Sequence, residues 1–185
     1  MKVAALQMVS GTRVDANLDT AHALLQQAAG AGAELAVLPE YFCLLGQHDT
    51  DKLAVQEAPG DGPIQKWLAA TARELELWLV GGTLPLACQP RDAARVRNAS
   101  LVFDPDGRQV ARYDKIHLFR FDGGDRSYDE AVTLQPGTQP ASFELPARDG
   151  HRWRVGLSIC YDLRFPELYR HYAAQGADLL LVPSA

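Results

Sequence analysis

The stretch WRVGLSICYDLRFPELYRHYAAQGADLLLV, residues 153–182, decides the fold class, because it contains a complete strand–helix–strand pattern. Residues 153–159 predict a buried strand. Residues 166–174 predict an amphipathic helix with a proline in its first turn, and Gly176 follows its end. Residues 179–182 predict a second buried strand. A chain in which strands alternate with helices is typical of a layered α/β fold.

The same alternation continues through the rest of the chain. Further strands are predicted at residues 3–8, 35–38 and 78–80, and further helices at residues 17–29 and 64–75. Two antiparallel pairs are expected, 99–103 with 109–113 around a DPDG turn, and 142–145 with 153–159. Residues 120–140, which contain several glycines and prolines, are predicted to form a long loop. We therefore expect an α/β fold with mixed sheets in a single domain, residues 1–185.

Composition excludes several classes of protein. Of the 185 residues, 47% are hydrophobic and 22% are charged, as in an ordinary globular domain, which argues against disorder, collagen and coiled coil. The net charge of −5 comes without a basic cluster, so no nucleic-acid partner is expected. No apolar stretch approaches the roughly 18 residues of a membrane helix, and no signal peptide is evident. We expect a cytoplasmic protein without a membrane partner.

The cysteines and glycines give no sign of a metal or cofactor. Three widely spaced cysteines without a CxxC pair argue against a disulfide framework and against a zinc site. Cys43 and Cys88 are expected to be packing residues. The glycine pairs at 81–82 and 123–124 are expected to form turns and not phosphate-binding loops. No metal, flavin or nucleotide is therefore predicted.

Three reactive side chains each follow a predicted strand: Glu40, Lys115 and Cys160. In open α/β sheets, ligands bind beyond the carboxyl ends of the strands, so these side chains are candidates for one site. Taken singly, each has a simpler explanation. The glutamate would be a solvated loop residue, the lysine a surface charge, and the cysteine a small buried apolar residue.

Together the three side-chain types suit acyl chemistry. A thiolate attacks an acyl carbon, a carboxylate acts as general base, and an ammonium with a backbone N–H stabilises the oxyanion. A Cys–His pair is the competing arrangement. Its candidate bases are His117 and His151, although His151 lies in a predicted turn and His117 is equally well explained as a packed residue at a strand end.

Three blocks of sequence resemble the signatures of the nitrilase superfamily, the carbon–nitrogen hydrolases with a Glu-Lys-Cys triad. The blocks are LPEYF at 38–42, YDKIHLF at 113–119 and SICYDLRFPELY at 158–169. The resemblance covers essentially the whole chain in order. It implies a nitrilase-type α-β-β-α sandwich that is usually paired into homodimers.

The resemblance also implies a role for particular residues. Glu40 corresponds to the general base, Lys115 to the oxyanion stabiliser and Cys160 to the nucleophile. Glu130, in the loop between the lysine and cysteine blocks, corresponds to a further glutamate that orients the lysine or the attacking water, and a surface charge in a loop is the alternative. By the same analogy Tyr161 supplies its backbone N–H to the oxyanion hole.

The residues after the cysteine resemble the amidase branch, in particular deaminated-glutathione amidase and omega-amidase, whose implied substrates are small amides that carry a carboxylate. Arg164 is a candidate clamp for that carboxylate, and an ion pair with Asp162 or Glu167 is the alternative. Phe42, Tyr41 and Phe119 are candidates for lining the substrate pocket, with a place in the core as the alternative.

The end of the chain departs from the family pattern. The sequence stops three residues after a predicted buried strand, whereas family members continue with more strands, a helix and a tail. We expect that the C-terminal part of the domain is missing. The predicted function is hydrolysis of a small carboxylate-bearing amide through a Cys160 thioester, with release of ammonia. Two alternatives are an inactive fragment or pseudoenzyme that only binds, and an acyl transferase that uses the same thioester.

Overall fold

A six-stranded mixed sheet forms the first half of the structure, a computed structural model that describes residues 1–185. Its strands are β1 (Val3–Ala5), β2 (Leu35–Val37), β3 (Trp78–Val80), β4 (Leu84–Ala87), β5 (Val96–Phe103) and β6 (Gln109–Asp114). Strands β1, β2 and β3 are parallel neighbours. Strand β5 runs antiparallel to β3 and β4 along one edge and to β6 along the other. The predicted hairpin of β5 and β6 is confirmed.

Two small hairpin strands and a second sheet follow. The hairpin consists of β7 (Arg120–Asp122) and β8 (Ser127–Asp129), and a 3₁₀ turn, Glu130–Val132, comes after it. The second sheet contains β9 (Ser142–Pro146), β10 (Arg152–Leu157) and β11 (Leu179–Leu181) in the order β11-β10-β9. Strand β10 is antiparallel to β9, as expected, and parallel to β11.

The chain has four α-helices, and the three longer ones cover the outer faces of the sheets. The four helices are α1 (Val14–Gly30), α2 (Asp51–Ala54), α3 (Pro63–Glu74) and α4 (Pro166–Ala174). Helix α4 connects β10 to β11 and lies so close to the second sheet that a Cβ at Gly156 would come within 2.8 Å of the Tyr172 ring. None of the helices has both the length and the apolar character needed to cross a membrane.

Two hydrophobic cores lie on opposite faces of the first sheet. Along β2, Ala36 points into a core shared with α1 and α3, whereas Leu35 and Val37 point into a second core. That second core also contains Val155 and Leu157 of the second sheet and apolar residues of α4. The order of layers is therefore helix, sheet, sheet, helix, and the expected α-β-β-α sandwich is confirmed.

The structure corrects two expectations about secondary structure. The predicted long loop at residues 120–140 is wrong, because its first half forms the β7–β8 hairpin and the 3₁₀ turn. The alternation there is only three residues long on each side of the turn, too short to predict a strand. Strand β4 was missed because Pro85 interrupts it, and proline is tolerated only where a strand does not need its N–H.

Candidate active site

Glu40 lies in a tightly fixed turn just after β2, and its side chain is only 3% exposed. The next residue, Tyr41, has a φ of 54°, in the left-handed region, and its N–H donates to Thr83 Oγ1 at 2.8 Å. Gly82 packs directly beneath the turn: a Cβ there would be 1.9 Å from the carbonyl oxygen of Pro39. The connection between β3 and β4 therefore determines where the Glu40 carboxylate points.

Lys115 follows β6 and is buried, with a relative exposure of 1%. Its Nζ lies 3.0 Å from Glu40 Oε1 and 2.9 Å from Glu130 Oε1. Burial by itself would lower the pKa of Lys115, but the two carboxylates outweigh burial and raise it above its ordinary value. Since a buried charge is tolerated when it is paired and hydrogen-bonded, the structure holds this lysine as an ammonium.

Each carboxylate has further donors that keep it in place. Asn98 Nδ2 donates to Glu40 Oε1 at 2.8 Å, and the Phe119 N–H donates to Glu130 Oε2 at 2.7 Å. Asn98 also accepts the Lys115 N–H through its backbone oxygen at 3.0 Å. Asn98 is not among the residues predicted for the site. The signal available was a polar residue inside the apolar run of β5, which is only 2% exposed in the structure.

Cys160 begins a 3₁₀ turn, Cys160–Arg164, and has a φ of 46°. A non-glycine residue in this left-handed region costs on the order of 1–3 kcal/mol and persists where the surroundings hold it. The Cys160 N–H donates to Pro183 O and the Asp162 N–H donates to Ile159 O, both at 3.0 Å. Neither bond uses the Tyr161 N–H, which lies in the first turn, where N–H groups lack a partner within the helix.

The pKa of the Cys160 thiol is raised. Burial is the largest cause, the negative charge of Glu40 is the next, and the positive charge of Lys115 opposes them. The thiol therefore keeps its proton at neutral pH. Glu40, the carboxylate that raises this pKa, is also the nearby candidate to take the thiol proton.

Glu40, Glu130 and Cys160 line a single open cavity of about 620 Å³. The other lining residues are Tyr41, Leu45, Phe119, Tyr161, Leu163, Arg164, Ser184 and Ala185. Lys115 lies beneath the two glutamates and outside the lining. The structure thus brings together Glu40, Lys115, Glu130 and Cys160, together with Tyr161, Phe119 and Arg164.

Arg164 is exposed and makes no ion pair, which contradicts the alternative of a structural pair with Asp162 or Glu167. Asp162 is buried and accepts hydrogen bonds from Tyr113 and His117 instead. Glu167 pairs with Arg170 at 3.0 Å. The guanidinium at the cavity wall is therefore free to meet a ligand.

Phe42 does not line the cavity. Its side chain is fully buried in the core beneath α3, where the ring stacks on Trp67 with centroids 6.1 Å apart. The one-residue step from Tyr41 to Phe42 reverses the direction of the side chain, so Tyr41 faces the cavity and Phe42 faces the core. The prediction that Phe42 binds substrate is therefore wrong, and the alternative, a place in the core, is correct.

Neither histidine of the competing Cys–His arrangement lies in the cavity wall. His117 Nδ1 is 2.7 Å from Asp162 Oδ1, and His151 lies near Asp178 at 3.7 Å. The two remaining cysteines are buried as expected, and burial raises the pKa of Cys43 to about 12. No group of three or more histidine, cysteine or acidic side chains is arranged to hold a metal ion.

The fold agrees with the family that the sequence matches. The carbon-nitrogen hydrolase family matches residues 2–185, and the chain belongs to that family. Among curated relatives, the deaminated glutathione amidase of Synechocystis sp. is 38% identical over 183 residues, which cover 98% of this chain and 65% of that protein. The omega-amidase NIT2 of Danio rerio is 37% identical over 188 residues, covering 100% and 63%.

Solved structures of the nitrilase superfamily share the fold. Nit3 of Saccharomyces cerevisiae, a member of branch 10 of the superfamily, superposes with a TM-score of 0.82 at 29% identity, covering 100% of this chain and 64% of that one. A Glu-to-Gln mutant of an amidase from Nesterenkonia sp. AN1, with acrylamide added at its active site cysteine, gives a TM-score of 0.81 at 27% identity, covering 100% and 66%. The chain thus spans a little under two thirds of these relatives.

Proposed function

We propose that the protein hydrolyses the carbon–nitrogen bond of a small terminal amide through a thioester on Cys160 and releases ammonia. One observation carries the proposal: the Lys115 ammonium is held between Glu40 and Glu130, and both carboxylates face the same cavity as the Cys160 thiol. The amidase names of the curated relatives support the same reaction class.

In the proposed first half-reaction, Glu40 takes the thiol proton as Cys160 Sγ attacks the amide carbon. The carbonyl oxygen becomes an oxyanion that accepts from Lys115 Nζ and from the Tyr161 N–H. An ammonium has three donors and two of them point at carboxylates, so one remains for the oxyanion. Collapse of the intermediate breaks the C–N bond, and Glu40 returns its proton to the leaving ammonia.

In the proposed second half-reaction, water replaces ammonia at the same carbon. Glu40, again a carboxylate, takes a proton from the water as its oxygen attacks the thioester. The C–S bond then breaks, the proton returns to the sulfur, and a carboxylic acid leaves. Glu130 is proposed to orient Lys115 throughout, because its other oxygen is fixed by the Phe119 N–H.

We propose that the substrate carries a carboxylate near its amide. The supporting observation is Arg164, an exposed guanidinium without a protein partner in the wall of the cavity. Phe119 and Tyr161 meet edge to face with ring centroids 5.2 Å apart and offer an apolar wall for the carbon chain between the two polar ends. The names of the relatives, deaminated glutathione amidase and omega-amidase, fit such a substrate.

Three further proposals concern the whole protein. Residues 1–185 are proposed to belong to one domain, since both cores share the first sheet. A homodimer is proposed from the family resemblance. A cytoplasmic location is proposed because the three cysteines are free thiols, as is usual in a reducing compartment.

The test is ammonia release from a small panel: deaminated glutathione, 2-oxoglutaramate, 2-oxosuccinamate and a simple nitrile. Intact-protein mass is followed for an acyl adduct. We expect turnover of at least one amide and an adduct that is lost in Cys160→Ala, whereas Cys88→Ala, a matched control in the core, keeps both. Turnover that survives in Cys160→Ala contradicts the mechanism.

The alternatives give different results in the same assay. An adduct that passes to hydroxylamine but not to water indicates an acyl transferase. A folded chain that binds the amides without an adduct or ammonia indicates a protein that only binds, and overturns the proposed hydrolysis for this chain.

A further inference from the structure

Asp162 is a buried carboxylate that the proposed mechanism does not use. It lies two residues after Cys160, its relative exposure is 0%, and no lysine or arginine pairs with it. A carboxylate in such a place must be satisfied by several hydrogen-bond donors, and the identity of those donors shows what it connects.

The donors come from the segments that hold two of the candidate catalytic residues. Tyr113 OH and the Ile159 N–H donate to Asp162 Oδ2 at 2.7 and 2.9 Å. The His117 N–H and His117 Nδ1 lie 2.9 and 2.7 Å from Oδ1. Tyr113 precedes Lys115 by two residues and His117 follows it by two, so one carboxylate holds both sides of the lysine.

The same carboxylate closes the turn at Cys160. The Asp162 side chain accepts the Ile159 N–H, and the Asp162 backbone N–H donates to Ile159 O at 3.0 Å. Ile159, before Cys160, and Asp162, after it, are therefore hydrogen-bonded in both directions. A reciprocal pair of this kind holds Cys160 at its positive φ. A third contact, the His117 ring stacked on Phe165 at 3.7 Å, continues the connection to the start of α4.

Tyr113 can act as a donor at any ordinary pH. Burial, followed by the negative charge of Asp162, raises its pKa above the usual range. Tyr113 therefore remains a hydrogen-bond donor that joins the strand before Lys115 to the turn that carries Cys160.

We propose that Asp162 is a positioning residue that sets the distance and direction between the Lys115 ammonium and the Cys160 thiol. The inference deepens the proposed function and rests on it for the effect on turnover. Lys115 follows a strand of the first sheet and Cys160 follows a strand of the second. Asp162 links the two segments by side-chain contacts that do not depend on the substrate.

The test compares Asp162→Asn with Asp178→Asn, a control that also removes a carboxylate accepting a backbone N–H, but one that does not line the cavity. In Asp162→Asn, an NH₂ group replaces one of the two accepting oxygens. Since the groups facing it are N–H or O–H donors, the hydrogen bonds to that oxygen are lost. We expect kcat to fall about 100-fold with KM within about threefold, because a small misplacement of reacting groups has an effect of this size. Asp178→Asn is expected to keep the wild-type kcat.

A second readout does not need turnover. The rate of Cys160 alkylation by iodoacetamide is measured against pH, with the site confirmed by peptide mass. Since Lys115 favours the thiolate, its displacement in Asp162→Asn is expected to move the alkylation midpoint to higher pH. If the wild type shows no turnover, the proposed function fails, and this midpoint alone decides the role of Asp162.

Two milder variants cover the case in which Asp162→Asn does not fold. Tyr113→Phe and His117→Ala each remove one side-chain donor and are expected to lower kcat about tenfold. The proposal is overturned if the folded variants lose thermal stability but keep the wild-type kcat and the wild-type alkylation midpoint, since that outcome shows a purely structural role.

Discussion

At the scale of single residues, the chemistry depends on how neighbouring charges act on one thiol. Burial and the Glu40 carboxylate raise the pKa of Cys160, and the Lys115 ammonium opposes them. The thiol is therefore protonated in the free protein, with its candidate base nearby. In the proposed mechanism, proton transfer and attack on the substrate occur together, so a reactive thiolate is not left exposed to oxidants.

Glu40→Gln separates the effect of this carboxylate on the pKa of Cys160 from its proposed role as the general base. The variant removes the negative charge that raises the pKa of Cys160 and leaves Lys115 in place, so we expect the pKa of the thiol to fall. More thiolate at neutral pH means faster alkylation by iodoacetamide, while ammonia release falls by more than about 100-fold. Glu144→Gln, on the surface of β9, is the control for both measurements.

Slower or unchanged alkylation in Glu40→Gln would show that the carboxylate does not control this thiol. The acrylamide adduct on the cysteine of the Glu-to-Gln amidase mutant from Nesterenkonia shows that in that protein the thiol stays reactive without the carboxylate.

Arg164→Met tests the carboxylate clamp. We expect KM for a carboxylate-bearing amide to rise about 10- to 100-fold, since a charge-assisted hydrogen bond contributes about 1.5–3 kcal/mol. The KM for a neutral amide of similar size is expected to stay the same, because it lacks the group that Arg164 would bind. Arg170→Met, which removes an exposed arginine on α4, is the control; an equal effect on both amides contradicts the clamp.

At the scale of elements, the connection between β3 and β4 determines the position of Glu40. Gly82 has a φ of +47° and lies against the carbonyl of Pro39, and Thr83 accepts the Tyr41 N–H. The Glu40 turn is therefore supported from below by a segment 42 residues away in sequence. Only glycine allows two backbones to approach so closely.

Gly82→Ala is expected to destabilise the protein and to lower kcat, because a Cβ cannot fit 1.9 Å from Pro39 O and the Glu40 turn must shift. The matched control is Gly150→Ala, which also has a positive φ but has no atom within 4 Å of the added Cβ. In the control, the free energy of unfolding is expected to fall only by the cost of placing a Cβ on a left-handed backbone, about 1–2 kcal/mol. Urea denaturation and ammonia release measure the difference; equal results for the two variants contradict the close-approach argument.

At the scale of the whole molecule, the site lies where the two sheets meet. Glu40 and Lys115 follow strands of the first sheet, and Cys160 follows β10 of the second. The second core, which joins the sheets, therefore determines the relative position of the candidate base and nucleophile. The first core, between α1, α3 and the first sheet, supports the Glu40 turn from the other side.

Alanine variants of Phe42 and Phe119 compare a core position with a position in the cavity wall. Phe42→Ala removes a fully buried ring and is expected to lower the free energy of unfolding by about 3–5 kcal/mol. Phe119→Ala removes a partly exposed ring at the cavity wall, so we expect a loss of less than about 1 kcal/mol and a higher KM. Denaturant titration and steady-state kinetics measure the two effects; a large loss of stability in Phe119→Ala contradicts the placement.

The elements that were predicted well are those with a strong local signal. The strand–helix–strand unit at 153–182 has clear periodicity, a proline at the helix start and a glycine after its end. The β7–β8 hairpin and β4 carry no such signal, because short strands and a strand proline resemble loop sequence. Their pairing is decided by partners elsewhere in the chain.

Local patterns in the sequence were enough to predict the alternation of strands and helices, the α/β class, and the placement of Glu40, Lys115 and Cys160 after strands. Each of these follows from hydrophobic periodicity and turn residues. The support of the site by Asn98 and Asp162, the free guanidinium of Arg164 and the core position of Phe42 became visible only in the tertiary structure. These depend on contacts between residues far apart in the chain, such as the 75 residues between Glu40 and Lys115, which no local pattern records.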